Sequence, residues 1–337
     1  FCPKIPPFSV ISHPSPPPPP PRSAAEWFCL GGENRGRFAM MYRLLRLFAW
    51  YASLGSFARL DRIARRWAFL LCEIVRFRRR VVLDALRRSF PGWSAADCRA
   101  TYRAMMRHQI LDTLELFRFA GKKRGEFASR VRFDPAIREY VAALLAEGRG
   151  ILILIAHIGA YDLFGMMASD LFGLPIHIIA KPIRNPGVHR FWNEVRESAG
   201  VHVIPSHQAY RPALKALKSG GIVGFMLDQN RPAEQGVFVP FFGRLASTTP
   251  GLALLSYHAK APVVPAFLVR GADGLHTVIK GEAIAPPQAH DEATLKAYTA
   301  RYTAVIEEMV RRDPAQWLWL HKRWKSRPPE ERSAVNP

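Results

Sequence analysis

The sequence has few cysteines, and they are not spaced for a metal site. There are four in 337 residues, and all lie in the first third of the chain: Cys2, Cys29, Cys72 and Cys98. No Cys-x-x-Cys occurs, and no histidine stands at the spacing of a zinc site. The pattern indicates free thiols in a reducing compartment.

Several signature loops are also missing. The sequence contains no G-x-G-x-x-G, no G-x-x-x-x-G-K-[ST], no G-x-S-x-G and no H-E-x-x-H. Nucleotide binding through those loops, a serine-hydrolase elbow and a zincin site therefore lose their sequence support.

Long apolar runs and acidic residues are scarce. No run approaches the roughly 20 apolar residues that span a bilayer, and the best N-terminal stretch, 47–58, lies between Arg46 and Arg59. Asp and Glu number 27 against 48 Lys and Arg, which leaves a net charge of +21. Such a charge needs an acidic partner, and nucleic acid and anionic lipid headgroups are the two candidates.

The chain divides into segments of different character. Residues 1–39 carry a proline run at 16–21 and no hydrophobic period, so we expect a disordered or non-native leader and a natural start at Met40 or Met41. Residues 40–125 have apolar residues at helical spacing with arginines between them, which predicts a basic amphipathic helical segment. Ser94 followed by Asp97 indicates a helix start.

The basic segment is a candidate for contact with a membrane. Trp67 and Phe69 precede the arginines at 76 and 78–80, a pattern that favours shallow insertion of the rings beside lipid headgroups. The alternative is a solvated basic face on an ordinary helical hairpin.

Residues 126–328 predict an α/β core, followed by a tail at 329–337. Apolar runs that indicate strands lie at 151–156, 176–180, 201–204, 222–227 and 263–269. Helical stretches fit 136–147, 162–172, 186–199, 209–218 and 250–259. The alternation predicts a sheet with helices on its faces.

A histidine and an acid follow the first of these runs. About one His-x4-acid pair is expected by chance, and the sequence has two, His157/Asp162 and His189/Glu194. The second pair falls inside a predicted helix, where the two side chains point to different sides. His157 instead leaves a strand at the edge where α/β sheets bind ligands, and Gly159 permits a sharp turn.

We therefore expect Asp162 to accept a hydrogen bond from one imidazole nitrogen of His157. The other nitrogen would then remove a proton from an alcohol. The alternative is a core histidine satisfied by a helix-capping aspartate.

Two later stretches carry further polar or aromatic residues. Asp228, Gln229 and Asn230 follow a strand, and the apolar loop 236–244 after them suggests a slot for an acyl chain, or else a hairpin turn that merely packs. The segment 317–325 mixes three tryptophans with cations, which suits an interface or a phosphate-bearing acceptor. The same pattern is equally compatible with an edge helix that packs on the core.

These blocks together resemble the bacterial lipid A biosynthesis acyltransferases, the lauroyl/myristoyl transferase family, which is related to the glycerol-phosphate acyltransferases. The resemblance covers about 41–328. The matching pieces, in order, are the basic helices with 87–91 and Glu115, the His157-x4-Asp162 block, 181–186, Asp228-Gln229, 237–243, Thr248-Thr249 and 316–325. The resemblance implies a glycerol-3-phosphate acyltransferase-like sheet flanked by helices.

The resemblance also implies an activity and its site. Such enzymes move an acyl chain from acyl carrier protein, less often from coenzyme A, to a lipid hydroxyl at the cytoplasmic face of the inner membrane, with no metal and no further cofactor. His157 would be the general base and Asp162 its orienting acid. Implied further roles are oxyanion stabilisation by Arg196, phosphate binding by Lys181 and Arg184, and shaping of the site by Asp228 and Gln229.

Two departures from the family pattern widen the choice of acceptor. The family most often has Glu where this chain has Asp162, and Arg where it has Lys181, and these cations bind phosphate differently. The acceptor is then a lipid A precursor, another glycolipid or a mannosylated phosphoinositide. The rival hypotheses are a nucleic-acid-binding protein, for which no recognition motif is present, and an inactive membrane-surface protein that retains the fold.

Overall fold

The protein is built around one seven-stranded sheet. The computed structural model describes residues 32–121, 124–328 and 331. The strand order is β1-β9-β8-β2-β5-β3-β4, parallel except for the antiparallel pair β8–β9. The strands are β1 (Val131–Arg132), β2 (Ile151–Ile155), β3 (Ile176–Ala180), β4 (Val201–Pro205), β5 (Ile222–Met226), β8 (Val263–Arg270) and β9 (His276–Lys280). The predicted α/β class is confirmed.

Helices cover the sheet and form an N-terminal extension to it. The extension contains α1 (Gly32–Leu54), α2 (Phe57–Phe69), a π-helical turn (Leu70–Ile74), α3 (Arg79–Ser89) and α4 (Ala95–Ala120). The helices of the core are α5 (Gly125–Ala128), α6 (Pro135–Ala146), α7 (Tyr161–Phe172), α8 (Pro186–Ser198), α9 (Tyr210–Lys218), α10 (Gly251–Ala259) and α11 (Glu292–Arg312).

Local sequence signals locate most of these elements. All five predicted strands are present to within one residue, because short apolar runs bury well between two helical layers. The predicted start of α4 is confirmed as a capping box: Ser94 Oγ accepts from the Asp97 N–H, and the Asp97 carboxylate accepts from the Ser94 N–H.

The structure describes only the last part of the predicted leader. Residues 1–31 lie outside the described residues. Residues 32–39, which the sequence placed in the leader, belong to α1. The Phe38 carbonyl lies so close to Gly187 of α8 that a Cβ there would be 2.3 Å from its oxygen. The other segment boundaries stay predictions, and most of the tail at 329–337 is also outside the described residues.

The N-terminal helices leave many apolar side chains in solvent. Twelve of the fifteen large hydrophobic residues exposed in the described part of the chain lie between Met40 and Phe77. Trp67 and Phe69 are 52% and 58% exposed. No helix among the described residues has the length and apolar content needed to cross a membrane. An exposed apolar area of this kind marks an interaction surface.

The loop predicted to form an acyl slot is instead a packed hairpin. β6 (Val237–Phe241) and β7 (Arg244–Thr248) pair antiparallel. Phe241 is buried against Trp317, and Phe242 is buried against Phe90. The alternative hairpin interpretation is therefore the correct one. Phe242 and Gly243 both have positive φ, which makes the tight connection possible.

A buried cluster of charged side chains links α4 to the sheet. Glu115 on α4 accepts two hydrogen bonds from Arg270 on β8, at 2.8 and 2.7 Å, and lies 2.9 Å from Nε2 of His276 on β9. Asp112 also pairs with Arg270. Burial opposes charge on Glu115, but these hydrogen bonds and charges hold its pKa down at about 2. The cluster fixes the helix that runs beside the candidate site.

Candidate active site

The pairing register of two neighbouring strands brings His157 and Asp228 together. β2 and β5 are adjacent and parallel, with Ile151 opposite Ile222 and Ile155 opposite Met226, a constant offset of 71 residues. His157 and Asp228 keep that offset two residues beyond the strand ends. They therefore lie side by side at the carboxyl edge of the sheet, where α/β proteins bind ligands.

Asp228 is fully engaged by His157 and a tryptophan. Its Oδ1 lies 2.8 Å from Nδ1 of His157, and its Oδ2 accepts from the His157 backbone N–H at 2.9 Å and from the Trp317 indole N–H at 2.8 Å. Burial alone would raise the pKa of Asp228, but the charge and hydrogen bond of His157 lower it far below the ordinary value. Asp228 is therefore an ionised carboxylate that accepts from Nδ1–H.

This arrangement corrects the predicted role of Asp162. Asp162 lies in the first turn of α7, and among the described residues no hydrogen bond joins it to His157. Its Oδ1 is 3.4 Å from Nη2 of Arg196. The turn from β2 into α7 aims the Asp162 carboxylate towards α8, whereas Asp228 reaches Nδ1 from the neighbouring strand.

Asp162 still acts on His157 through its charge. Burial lowers the pKa of His157, but Asp228 and, to a lesser degree, Asp162 outweigh it and raise the pKa above the ordinary 6.5. The imidazole is consequently a stronger base than a free histidine.

The second ring nitrogen of His157 faces Gln229. The two Nε2 atoms are 3.2 Å apart, so the amide donates and the imidazole nitrogen accepts. With Nδ1–H donating to Asp228, Nε2 is the unprotonated ring nitrogen, and its lone pair accepts from Gln229. The side chain of His157 is 11% exposed, so the ring is largely buried. The alternative of a core histidine satisfied by a helix-capping aspartate is right about burial but wrong about the partner, which is Asp228 and not Asp162.

Gly159 makes the turn after His157 possible, as predicted. It has φ of +57°, and a Cβ there would lie 2.1 Å from the Leu268 carbonyl oxygen. Its N–H donates to the Gln316 carbonyl at 2.9 Å. A residue larger than glycine would displace the chain that carries His157.

The C-terminal segment closes the site, a role that the sequence did not predict. Besides the Trp317 indole, the Leu318 N–H donates to the His157 carbonyl at 3.0 Å, and Nε2–H of His321 donates to the Asp228 carbonyl at 3.1 Å. Burial lowers the pKa of His321 to about 4, so this ring is neutral. The segment 317–325 forms turns, so the predicted edge helix is wrong, although Trp317 and Trp319 do pack in the core. Lys322 and Lys325 are exposed, and contact with an interface or a phosphate-bearing acceptor stays a prediction.

Arg323 ties the same segment to the hairpin. The side chain is almost fully buried and donates to the carbonyls of Gln229 and Ser247 and to Thr248 Oγ1. The Arg323 guanidinium is therefore buried among oxygen acceptors of the protein, whereas Lys322 and Lys325 of the same segment are exposed. Thr248 of the predicted motif is thereby connected to the site.

Lys181 and Arg184 lie exposed near the same edge. Lys181 directly follows β3, whose neighbour is β5, and β2 comes next. Two strand spacings place its backbone roughly 10 Å from that of His157. Arg184 precedes α8, the helix that carries Arg196. Lys181 therefore follows a strand at the same sheet edge as the His157–Asp228 pair, and Arg196 reaches Asp162 from α8.

The second His-x4-acid pair has no shared site. Glu194 accepts from Tyr42 and Arg190, whereas His189 contacts Asn193 and the Ile183 N–H. The prediction that the two side chains diverge on a helix is confirmed.

A small slot of about 30 Å³ opens beside Asp162. It is lined by α4 and by the turn after β2, including Gln109, Asp112, Thr113, Gly159 and Tyr161. Tyr161 also packs edge-on against the His157 ring, with the centroids 4.8 Å apart. Two larger cavities bounded by described residues lie away from this slot.

Comparison with known sequences identifies relatives of the chain. The family of bacterial lipid A biosynthesis acyltransferases matches residues 41–326. A lipid A biosynthesis acyltransferase of Haemophilus influenzae is 28% identical, with 54% of this chain and 56% of the relative covered. A phosphatidylinositol mannoside acyltransferase of Mycolicibacterium smegmatis is 24% identical, with 65% and 71% covered.

A solved structure is also similar. The 1-acyl-sn-glycerophosphate acyltransferase of Thermotoga maritima aligns with 74% of this chain and 97% of its own length, at 14% identity and a TM-score of 0.35. The chain aligns with only 56% to 66% of the length of the first curated relatives it matches.

Proposed function

Because the chain belongs to the bacterial lipid A biosynthesis acyltransferase family, we propose that it transfers a fatty acyl group from a thioester to a hydroxyl of a lipid A precursor or a related glycolipid. The observation that carries the proposal is His157, whose Nδ1–H is held by the ionised Asp228 while Nε2 keeps its lone pair. This is the arrangement that a general base for an alcohol requires.

The reaction proceeds by direct attack. Nε2 of His157 takes the proton of the acceptor hydroxyl while the oxygen bonds to the thioester carbonyl carbon. The tetrahedral intermediate then expels the thiolate, which takes the proton back from Nε2. Asp228 stabilises the imidazolium between these steps and keeps the ring in one tautomer. The Gln229 amide gives up its contact with Nε2 when the hydroxyl arrives.

Arg196 and Asp162 form the next part of the proposed site. The Arg196 side chain is 14% exposed, and its Nε is a buried donor without a hydrogen-bond partner in the described structure. It suits a developing oxyanion or a substrate phosphate. Asp162 orients Arg196 and raises the basicity of His157 through space, in place of the direct contact that the sequence suggested.

Lys181 and Arg184 are proposed to bind phosphate of the glycolipid or of the phosphopantetheine arm. Both side chains are exposed, and Lys181 directly follows β3 at the sheet edge that carries His157. Acyl carrier protein is the proposed donor, with coenzyme A as the alternative, because an acidic carrier suits a chain of charge +21. No metal or additional cofactor enters these steps.

We place the protein at the cytoplasmic face of the inner membrane. The exposed apolar residues between Met40 and Phe77 support this location, since they lie among arginines on one extension. Ile74, Val75 and Phe77 of this extension are 67%, 56% and 45% exposed. Arg76 and Arg78 have φ of 56° and 52°, so the backbone is held in an unfavourable conformation that presents these side chains.

A mannosylated phosphoinositide is the second candidate acceptor. The Mycolicibacterium relative, which is named for such a lipid, supports it. Both acceptors offer a sugar or lipid hydroxyl beside phosphate, so the same base and cations serve either one.

The proposal is tested with purified full-length protein in mixed micelles. Acyl carrier protein and coenzyme A thioesters are offered separately, each with a lipid A precursor or a phosphatidylinositol mannoside, and products are weighed by mass spectrometry. His157→Ala should lower the rate by about 10²–10⁴-fold, the usual contribution of a general base. His189→Ala is the matched control and should keep the wild-type rate.

Two results would reject the proposal. One is a His157→Ala rate equal to that of wild type, which is what an inactive fold or a background reaction predicts. The other is salt-sensitive binding of nucleic acid together with no lipid product, which would favour the nucleic-acid rival.

A further inference from the structure

A large apolar groove lies on the N-terminal extension, outside the site of His157. Its volume is about 510 Å³, within the range of natural ligand sites. It runs between α1, α2 and α4, and its apolar lining includes Phe48, Leu60, Ile63, Trp67, Ile110 and Leu114. None of the hydrogen-bond partners of His157 named above lines it, so it is a separate site.

One cation and one hydroxyl stand among the apolar lining residues. Arg59 lines the groove and donates to the Tyr51 hydroxyl at 2.7 Å, with its guanidinium 5.4 Å from the centre of that ring. This single contact leaves further guanidinium donors available, since the group has five N–H bonds. The groove therefore combines an apolar channel with one cation that suits phosphate.

The surroundings of the groove indicate where its ligand comes from. Phe48 and Trp67 are 41% and 52% exposed and belong both to the groove and to the apolar surface between Met40 and Phe77. The groove thus opens within the face that we place against the membrane. A chain entering from the bilayer would pass from lipid to apolar side chains without crossing water.

We propose that this groove holds one acyl chain of an anionic glycerophospholipid, with the headgroup phosphate on Arg59. The inference rests on the proposed membrane association but not on the proposed acyl transfer. The ligand is a structural or regulatory lipid, distinct from the substrates, because no described residue that lines the groove contacts His157 or Asp228. A bound lipid would fix the angle at which the extension meets the membrane.

The proposal is tested with short-chain lipids that dissolve as monomers. Dihexanoyl- and dioctanoyl-phosphatidylglycerol are titrated into the full-length protein by calorimetry, below the concentrations at which they form micelles. Two more methylenes in the groove should tighten binding about fifteenfold, at about fourfold for each. The matching phosphatidylcholines should bind more weakly, because Arg59 then faces a zwitterion.

Matched substitutions separate the groove from the general surface. Ile63→Trp fills the groove and should abolish saturable binding, whereas Ile74→Trp, at an exposed position outside the lining, should leave it unchanged. Arg59→Gln should remove the preference for phosphatidylglycerol, and Arg62→Gln, the same change of charge on the same helix, should retain it. Circular dichroism checks that each variant is folded.

Three outcomes would overturn the inference. These are no saturable binding by the wild type, equal binding by folded Ile63→Trp, and competition by the acyl-transfer substrates for the same site. The last would make the groove a substrate pocket. Vesicle sedimentation by the same variants reports membrane association separately, so wild-type sedimentation with no groove binding would leave the proposed function intact.

Discussion

Replacing Asp228 by asparagine should reverse the tautomer of His157. Two N–H groups, from the His157 backbone and the Trp317 indole, both point at Oδ2. An amide must put its single oxygen there, because its NH₂ group cannot accept. The NH₂ group then faces Nδ1 and donates to it, so the ring proton moves to Nε2. The lone pair that would take the proton from the acceptor hydroxyl is lost.

The expected loss of activity is large. The charge-assisted bond between Asp228 and Nδ1 accounts for about 1.5–3 kcal/mol, which is about 10- to 150-fold in rate. The wrong tautomer adds to this, and the same substitution in a serine-protease triad lowers kcat by about 10⁴. We therefore expect a reduction of about 10³–10⁴ for Asp228→Asn.

Nitrogen NMR of labelled histidine measures the tautomer directly, beside initial rates of acyl transfer. Wild-type His157 should carry its proton on Nδ1, and Asp228→Asn should carry it on Nε2. Asp162→Asn is the control and should keep the proton on Nδ1, because Asp162 contacts Arg196 instead. The reasoning is refuted if Asp162→Asn reverses the tautomer while Asp228→Asn does not, or if folded Asp228→Asn stays within tenfold of the wild-type rate.

Three further predictions concern the same buried network. Activity should fall as the pH is lowered through the pKa of His157, which lies above 6.5, because Nε2 must be unprotonated to act as the base. Asp162→Asn removes a charge that raises this pKa, so the fall in activity should occur at lower pH when rates are measured as a function of pH. Trp317→Phe leaves Asp228 short of a donor and should cost about 1–3 kcal/mol of unfolding free energy by denaturant titration; an unchanged midpoint would contradict the assigned bond. Glu115→Gln breaks a buried ion pair with Arg270 and should lower the free energy of unfolding by about 3–5 kcal/mol. In the wild type, the stability that Glu115 contributes should be lost as the pH falls from about 4.5 to about 2, and thermal melts across that range would detect the loss.

Local sequence patterns predicted much of the fold because their causes are local. The strand at 151–155 follows from a continuous apolar run, and the start of α4 follows from Ser94 and Asp97 three residues apart. The position of His157 at a strand end, with Gly159 to turn the chain, also needs only neighbouring residues.

The partner of His157 was mispredicted because the nearest acid in sequence is not the nearest acid in space. Asp228 carried the same signal as His157, a polar residue just after an apolar run. No local sequence pattern predicts that β5 lies beside β2, since five similar apolar runs can be arranged in a sheet in many orders. The signal becomes a contact only once the strand order is known.

The sequence by itself thus determined the α/β class, the helical basic extension and the histidine at the edge of the sheet. The tertiary structure decided that Asp228 holds this histidine, that Trp317 and Arg323 are buried around it, and that Arg59 lines an apolar groove. The physical reason is the range of the interactions. Periodicity and capping act within a few residues, whereas the contacts of His157, Trp317 and Arg323 with Asp228 and Gln229 join residues 71 to 94 positions apart. These contacts exist only when the strands pair and the segment 317–325 packs.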